Sequence, residues 1–214
     1  TGSYGVHSLY LDSEDMVLCR QTLQGHKNRF KLRIRYYSEE PAAPAFLEIK
    51  RRVDKVILKD RAMVSREAAG RLLRGKRLGP EDLLRNGVRS RIGLDNFCVL
   101  RDQIGAEGRV YVSYDREAYV SPEGNALRVT FDRHVVGSEY DSRAGFSKGG
   151  VWSYAAIQGV ILEIKFTQRF PDWMRNMVSV FDLEQCSMAK YVHCVDAVRA
   201  HRDFTATSLK GLRV

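Results

Sequence analysis

Nothing in the 214-residue sequence is apolar for the roughly 20 residues that a bilayer-spanning helix needs, and no basic, then apolar, then small-residue succession marks a secretory leader. Cysteine is sparse as well. Cys19, Cys98, Cys186 and Cys194 stand far apart with no CxxC or Cys/His spacing, which excludes a zinc ribbon or a disulfide framework as the basis of the fold. His7, His26, His134, His193 and His201 are scattered without ligand spacing, and no Ser/His/Asp arrangement is visible. Internal repeats, low-complexity tracts and composition breaks are also missing, so one domain is expected over residues 1–200, followed by a loose tail over 201–214. The expected setting is the reducing cytoplasm, with any place at the cytoplasmic face of a membrane depending on a partner. Acidic residues are outnumbered: 26 Asp and Glu against 35 Lys and Arg leave a formal charge of +9, and such a surface attracts anions. Aromatic residues do not interleave with the basic ones as base-stacking platforms do, with Tyr36, Tyr37 and Tyr114 the closest candidates, so nucleic acid is not the expected partner.

What is present is alternation. Val6 to Leu11, Arg29 to Tyr37, Phe46 to Arg52, Val56 to Met63, Val110 to Val120, Ala126 to Val136 and Val160 to Thr167 all carry a period of two and predict strands. Helical spacing predicts helices over Ser65 to Arg74, Pro80 to Arg85, Arg91 to Ile104, Pro171 to Phe181 and Ser187 to Arg199. Gly137 to Gly150, rich in Gly and Ser, predicts a long loop inside the domain.

Residues at i and i+2 of a strand share a face, so the alternation also sorts charge. In Arg29 to Arg35 the basic residues take one face and Phe30, Leu32 and Ile34 the other. Leu47 and Ile49 oppose Glu48, Lys50 and Arg52, and Leu162, Ile164 and Phe166 oppose Glu163 and Lys165. Tyr114 with Arg116, and Arg128 with Thr130 and Asp132, extend the pattern. An ordinary solvated face mixes both signs, whereas this one is mainly cationic, and like charges side by side on a sheet repel. A bound polyanion reverses the sign of that term. If the sheet curls with its charged face inward, the cations converge and the apolar outer face needs helices to cover it. A carboxylate kept ionised among those cations, beside phosphate, suits a bridging Mn2+ or Mg2+; Glu163 is the first candidate ligand and Glu48 the second.

The strings "YGVHSLYLDS", "RFKLRIRYY", "FLEIKRRV", "VILKDRAMVS", "VYVSYDREAYV", "LRVTFDRHVV", "VILEIKF", "FPDWM" and "SMAKYVHCV" resemble, in order and interval, the polyphosphate polymerase domain of the vacuolar transporter chaperone (VTC) type, within the triphosphate tunnel metalloenzymes. The resemblance runs nearly end to end. It implies an α+β fold: an antiparallel β-barrel of about eight strands enclosing a triphosphate tunnel, helices packed outside, and a C-terminal helix at one tunnel end. It also implies binding of ATP and inorganic polyphosphate, a divalent metal, transfer of the terminal phosphoryl group to the growing chain, and a separate membrane protein as a partner.

By motif, Arg33 and Arg35 of "LRIRYY", Lys50 of "LEIKR", Lys59 of "VILKDR", Arg116, Arg128 of "LRVTFD" and Lys190 of "SMAKY" match the family's phosphate-gripping residues. Glu163 of "LEIKF" matches its metal-binding carboxylate. Lys31, Tyr114 and Lys165 are expected in supporting contacts to phosphate. Ala189 departs from the pattern, standing where the family often has a serine. The family also begins with a further strand carrying a Glu and a Lys, and this chain begins just downstream of it. That strand is therefore expected to be missing, with an open seam and an unpaired edge on Val6 to Leu11. Relatives of the same architecture hydrolyse triphosphate or cyclise nucleotides, and a non-catalytic polyanion-binding module is the remaining alternative.

Overall fold

Most predicted strands pair with a neighbour in sequence, while the strand Tyr4–Asp12 also pairs Glu107–Val120, and Ile161–Phe166 pairs Leu127–Glu139. The computed structural model describes residues 2–54, 56–121, 127–146, 149–167 and 169–210, with side chains as far as 203. Its strands are β1 (Tyr4–Asp12), β2 (Arg29–Tyr36), β3 (Ala45–Val53), β4 (Val56–Val64), β5 (Glu107–Val120), β6 (Leu127–Glu139), β7 (Trp152–Tyr154) and β8 (Ile161–Phe166). All pair antiparallel in one eight-stranded sheet of order β4-β3-β2-β1-β5-β6-β7, with β8 also pairing β6. The sheet curls into a half-barrel, and five helices pack around it. They are α1 (Val17–Leu23), α2 (Arg66–Leu73), α3 (Val88–Gln103), α4 (Asp172–Val180) and α5 (Lys190–Lys210).

Some expectations need correcting. β1 is no free edge, for it pairs β2 through His7 to Leu11 and β5 through Tyr4 to Asp12. The outer edges belong to β4, β7 and β8. Gly137 to Glu139, read as the start of a loop, continue β6, where Val136, Gly137 and Ser138 pair β7. Helix α3 starts three residues before Arg91. Helix α5 continues through the region expected from His201 to be a loose tail, as far as Lys210. Ala126, taken as the first residue of a strand, and residues 211–214 lie outside the described residues.

The two faces of the sheet bury different things. On the convex side Leu9, Leu11, Leu32, Ile34, Leu47 and Ile49 meet Ala68 and Leu72 of α2 and Leu94 and Phe97 of α3. Burial of each such large side chain contributes about 2 kcal/mol. Helix α2 starts where Ser65 accepts a hydrogen bond from the Ala68 N–H at 3.0 Å, a cap worth about 1 kcal/mol. Helix α3 can lie this close because residue 93 is glycine: a Cβ there would come within 3.0 Å of the Arg61 carbonyl oxygen.

On the concave side Val6, Tyr10, Val110, Val112 and Tyr114 meet Tyr191, Val192, Cys194 and Val195 of α5. A Cβ at Gly137 would sit 2.7 Å from the Cβ of Cys194, so the bare backbone of β6 is what admits this helix. The approach is anchored by Asp12, which is wholly buried. Its Oδ1 accepts the Leu18 N–H and its Oδ2 the Cys19 N–H, both at 2.9 Å, in place of a side-chain cap from Met16 on α1. Oδ2 also accepts from the Tyr191 hydroxyl at 2.9 Å.

Candidate phosphate-binding face

Cross-strand register turns the alternation into rungs. Lys31 of β2 lies opposite Lys50 of β3, and Lys50 lies opposite Lys59 of β4. No ion pair to any of these lysines forms among the described residues. Lys31 and Lys50 titrate below the ordinary lysine range, first because their surroundings desolvate them and then because neighbouring cations repel. For Lys50 those neighbours are Lys31, Arg33 and Lys59, with Glu163 acting weakly the other way.

The next rung is Tyr10, Arg33, Glu48 and Arg61. Arg33 Nε donates to Glu48 Oε2 at 2.7 Å, Arg61 Nε lies 3.2 Å from Oε1, and Arg35 Nε lies 3.8 Å from Oε2. Burial would raise the Glu48 carboxyl, but Arg33, Arg35 and Arg61 outweigh it and hold the group below its usual range. With both oxygens engaged by guanidinium groups, Glu48 is an ion-pair hub.

Opposite, β5, β6 and β8 build a second cluster around Arg116. Its guanidinium is bidentate to Asp132, with Nε to Oδ1 at 2.6 Å and Nη2 to Oδ2 at 2.7 Å. Lys190, at the first turn of α5, places Nζ 2.7 Å from Asp132 Oδ2 and 5.0 Å from the centre of the Tyr114 ring. Glu163 lies 3.6 Å from Arg116 Nη2 through one oxygen and 3.1 Å from Lys165 Nζ through the other. Burial would raise both carboxyls; Arg116 and Lys190 keep Asp132 below its ordinary value, and Lys165, Arg116 and Lys190 do the same for Glu163. Between them the Thr130 hydroxyl, opposite Glu163 in register, is buried with no hydrogen-bond partner.

The expected residues therefore share one face. Arg33, Arg35, Lys31, Lys50 and Lys59 line one side; Tyr114, Arg116, Glu163, Lys165 and Lys190 line the other. Arg128, opposite Lys165 in register, is exposed, and its Nη2 donates to the Tyr4 hydroxyl at 3.4 Å. Three participants escaped the sequence reading of the site. Asp132 was visible on the charged face beside Arg128 and Thr130, and Arg61 two residues after Lys59; Tyr10 stands among apolar neighbours and gave no signal.

A family model described as VTC domain matches residues 1–199. The chain belongs to the VTC domain family. A comparison with individual curated proteins finds no match. Membership ties this VTC domain to polyphosphate. For a divalent cation the residues of the face differ in fitness. Among the described residues no three His, Cys, Asp or Glu side chains converge into a cage. Mg2+ and Mn2+ instead take one or two carboxylates together with substrate phosphate oxygens, and the half-exposed Glu163 fits that donor set. Asp132, fully buried under Arg116 and Lys190, and Glu48, under its arginines, do not.

Proposed function

We propose that this VTC domain is an ATP-dependent polyphosphate polymerase, transferring the terminal phosphoryl group of ATP to the end of a polyphosphate chain held on the concave face. The rung of Lys31, Lys50 and Lys59 carries the reading. Three cations placed side by side without an acidic partner cost stability in the empty protein and gain it when a polyanion arrives. Glu48, Asp132 and Glu163 are outnumbered on this face by basic side chains, among them Lys31, Arg33, Arg35, Lys50, Lys59, Arg61, Arg116, Arg128, Lys165 and Lys190.

In the proposed step an oxygen of the chain's terminal phosphate forms a bond to the γ-phosphorus of ATP. The bond from that phosphorus to the β,γ-bridging oxygen breaks, and ADP leaves with the electron pair. Such transfer spreads charge over the equatorial oxygens, so positioning and fixed positive charge suffice and no protein nucleophile is required. Arg33, Arg35 and Arg116, already held by Glu48, Tyr114 and Asp132, present their remaining N–H groups to phosphate oxygens without reorganising. Lys50, Lys59, Lys165 and Lys190 supply point charges on flexible stems, with Lys31 and Tyr114 supporting. A bound Mn2+ or Mg2+, with Glu163 as its protein ligand, would neutralise further charge there. Among the described residues no helix is long and apolar enough to cross a membrane.

The test is incubation with ATP and Mn2+ or Mg2+ and display of the products on a gel, beside Glu163→Ala. Long polymer, lost in the variant, is expected. Orthophosphate alone would make the domain a triphosphatase, and binding without turnover would make it a polyanion-binding module.

A further inference from the structure

Arg35 Nη2 donates to the Tyr114 hydroxyl at 3.3 Å, and one rung away Arg33 Nη1 donates to the Tyr10 hydroxyl at 3.1 Å. A phenol oxygen that accepts from a guanidinium keeps its own proton to give. For Tyr10 no acceptor of that proton occurs among the described residues. The group is 7 % exposed and stands among Arg33, Lys31 and Arg35, where protein acceptors are outnumbered by donors. Burial alone would raise its pKa, yet these cations bring it down to about 8, a sign that the position is built for negative charge.

The ring is also fixed from behind. Tyr191 of α5 stacks on Tyr10 with centroids 4.4 Å apart and planes within 8°. Tyr191 is in turn held by Asp12, whose carboxylate it meets at 2.9 Å. The same carboxylate starts α1, so the two helices and the end of β1 jointly set where the Tyr10 hydroxyl sits.

Resting on the phosphate-binding reading above, we propose that Tyr10 is a further ligand-contacting residue, donating its phenolic proton to a phosphate oxygen held by Arg33, and that Tyr191 is a positioning residue which keeps Tyr10 in place. It is the counterpart on β1 of Tyr114 on β5. A neutral donor between guanidinium groups adds direction to a site otherwise made of charge, since an O–H donates well only to an oxygen lying along it.

Calorimetric titration with inorganic tripolyphosphate tests this, with thermal melting of each variant as the check on folding. Tyr10→Phe keeps the stacked ring and removes one oxygen; its affinity is expected to fall on the order of tenfold, as for a hydrogen bond to a charged group, while the melting temperature changes little. Tyr191→Phe keeps the stack and is expected to bind nearly as the parent does, whereas Tyr191→Leu loses the stack and should weaken binding as Tyr10→Phe does. Affinity of Tyr10→Phe within twofold of the parent, while Arg33→Ala loses binding, would overturn the role of Tyr10 and leave the phosphate site standing. Unchanged affinity in Arg33→Ala would overturn both.

Discussion

Lys190 Nζ lies 2.7 Å from Asp132 Oδ2, and that one contact joins the first turn of α5 to the strand β6 that carries Arg116's partner. Asp132 is buried, and among the described residues Arg116 and Lys190 are the cations that meet its carboxylate. Removing one member of such a buried cluster strands the others and costs about 3–5 kcal/mol. Asp132→Asn is therefore expected to lower the melting temperature by roughly 10 °C, read by differential scanning calorimetry, and to release Lys190 from its place beside Tyr114.

The lysine rung predicts effects of opposite sign on stability and binding. Lys50→Met takes one charge from between Lys31 and Lys59. Relief of repulsion is expected to stabilise the ligand-free protein by about 0.5 kcal/mol, or a degree or two in melting temperature. Affinity for tripolyphosphate should drop about tenfold, with the loss larger at low salt than at high salt. A melting temperature that fell along with affinity would show that Lys50 has a stabilising partner.

Glu163 and Glu48 are distinguished by what surrounds them. In Mn2+ titrations followed by electron paramagnetic resonance, with tripolyphosphate present, Glu163→Gln is expected to weaken the metal by about tenfold with little change in melting temperature. Glu48→Gln should leave Mn2+ binding largely intact and destabilise the fold by about 3 kcal/mol, because Arg33, Arg35 and Arg61 then share no carboxylate. The reverse pattern would assign the metal to Glu48.

Acid should unfold the domain through the same groups. Asp132, Glu48 and Glu163 are all held below their ordinary values in the folded state, so the unfolded chain binds more protons near pH 4. Their stabilisation is complete above about pH 4.5 and is lost as pH falls through the lower folded-state values. Melting temperatures measured from pH 6 to pH 2.5 are expected to stay level and then fall, with a shallower fall in Asp132→Asn, which starts lower.

The alternation of charge and apolar residues made seven strands and the basic face legible, because a period of two needs only neighbouring residues to show itself. Short elements were not legible. The three residues of β7 and the seven of α1 carry too little pattern, and α1 takes its cap from Asp12, on the preceding strand, rather than from Met16 at its own start. Tyr10 was hidden for a related reason. It is flanked by Leu9 and Leu11 and shares its face with Val6 where α5 covers the concave side, and nothing local marks a hydroxyl that meets Arg33 on another strand. The position of the sheet's edges depends on β1 pairing β5, a contact between distant parts of the chain that no local pattern encodes.

That pairing also orders the folding of the chain in time. β1 lies between β2, which follows it closely, and β5, which begins only at Glu107. During synthesis the hairpins of β2, β3 and β4 can form while the other side of β1 stands bare. Asp12 must wait longest, since Tyr191 is 179 residues further on. Closing loops of that length before their contacts repay the entropy places the domain among slow folders, with the exposed edge of β1 as the stretch most open to mispairing until β5 emerges.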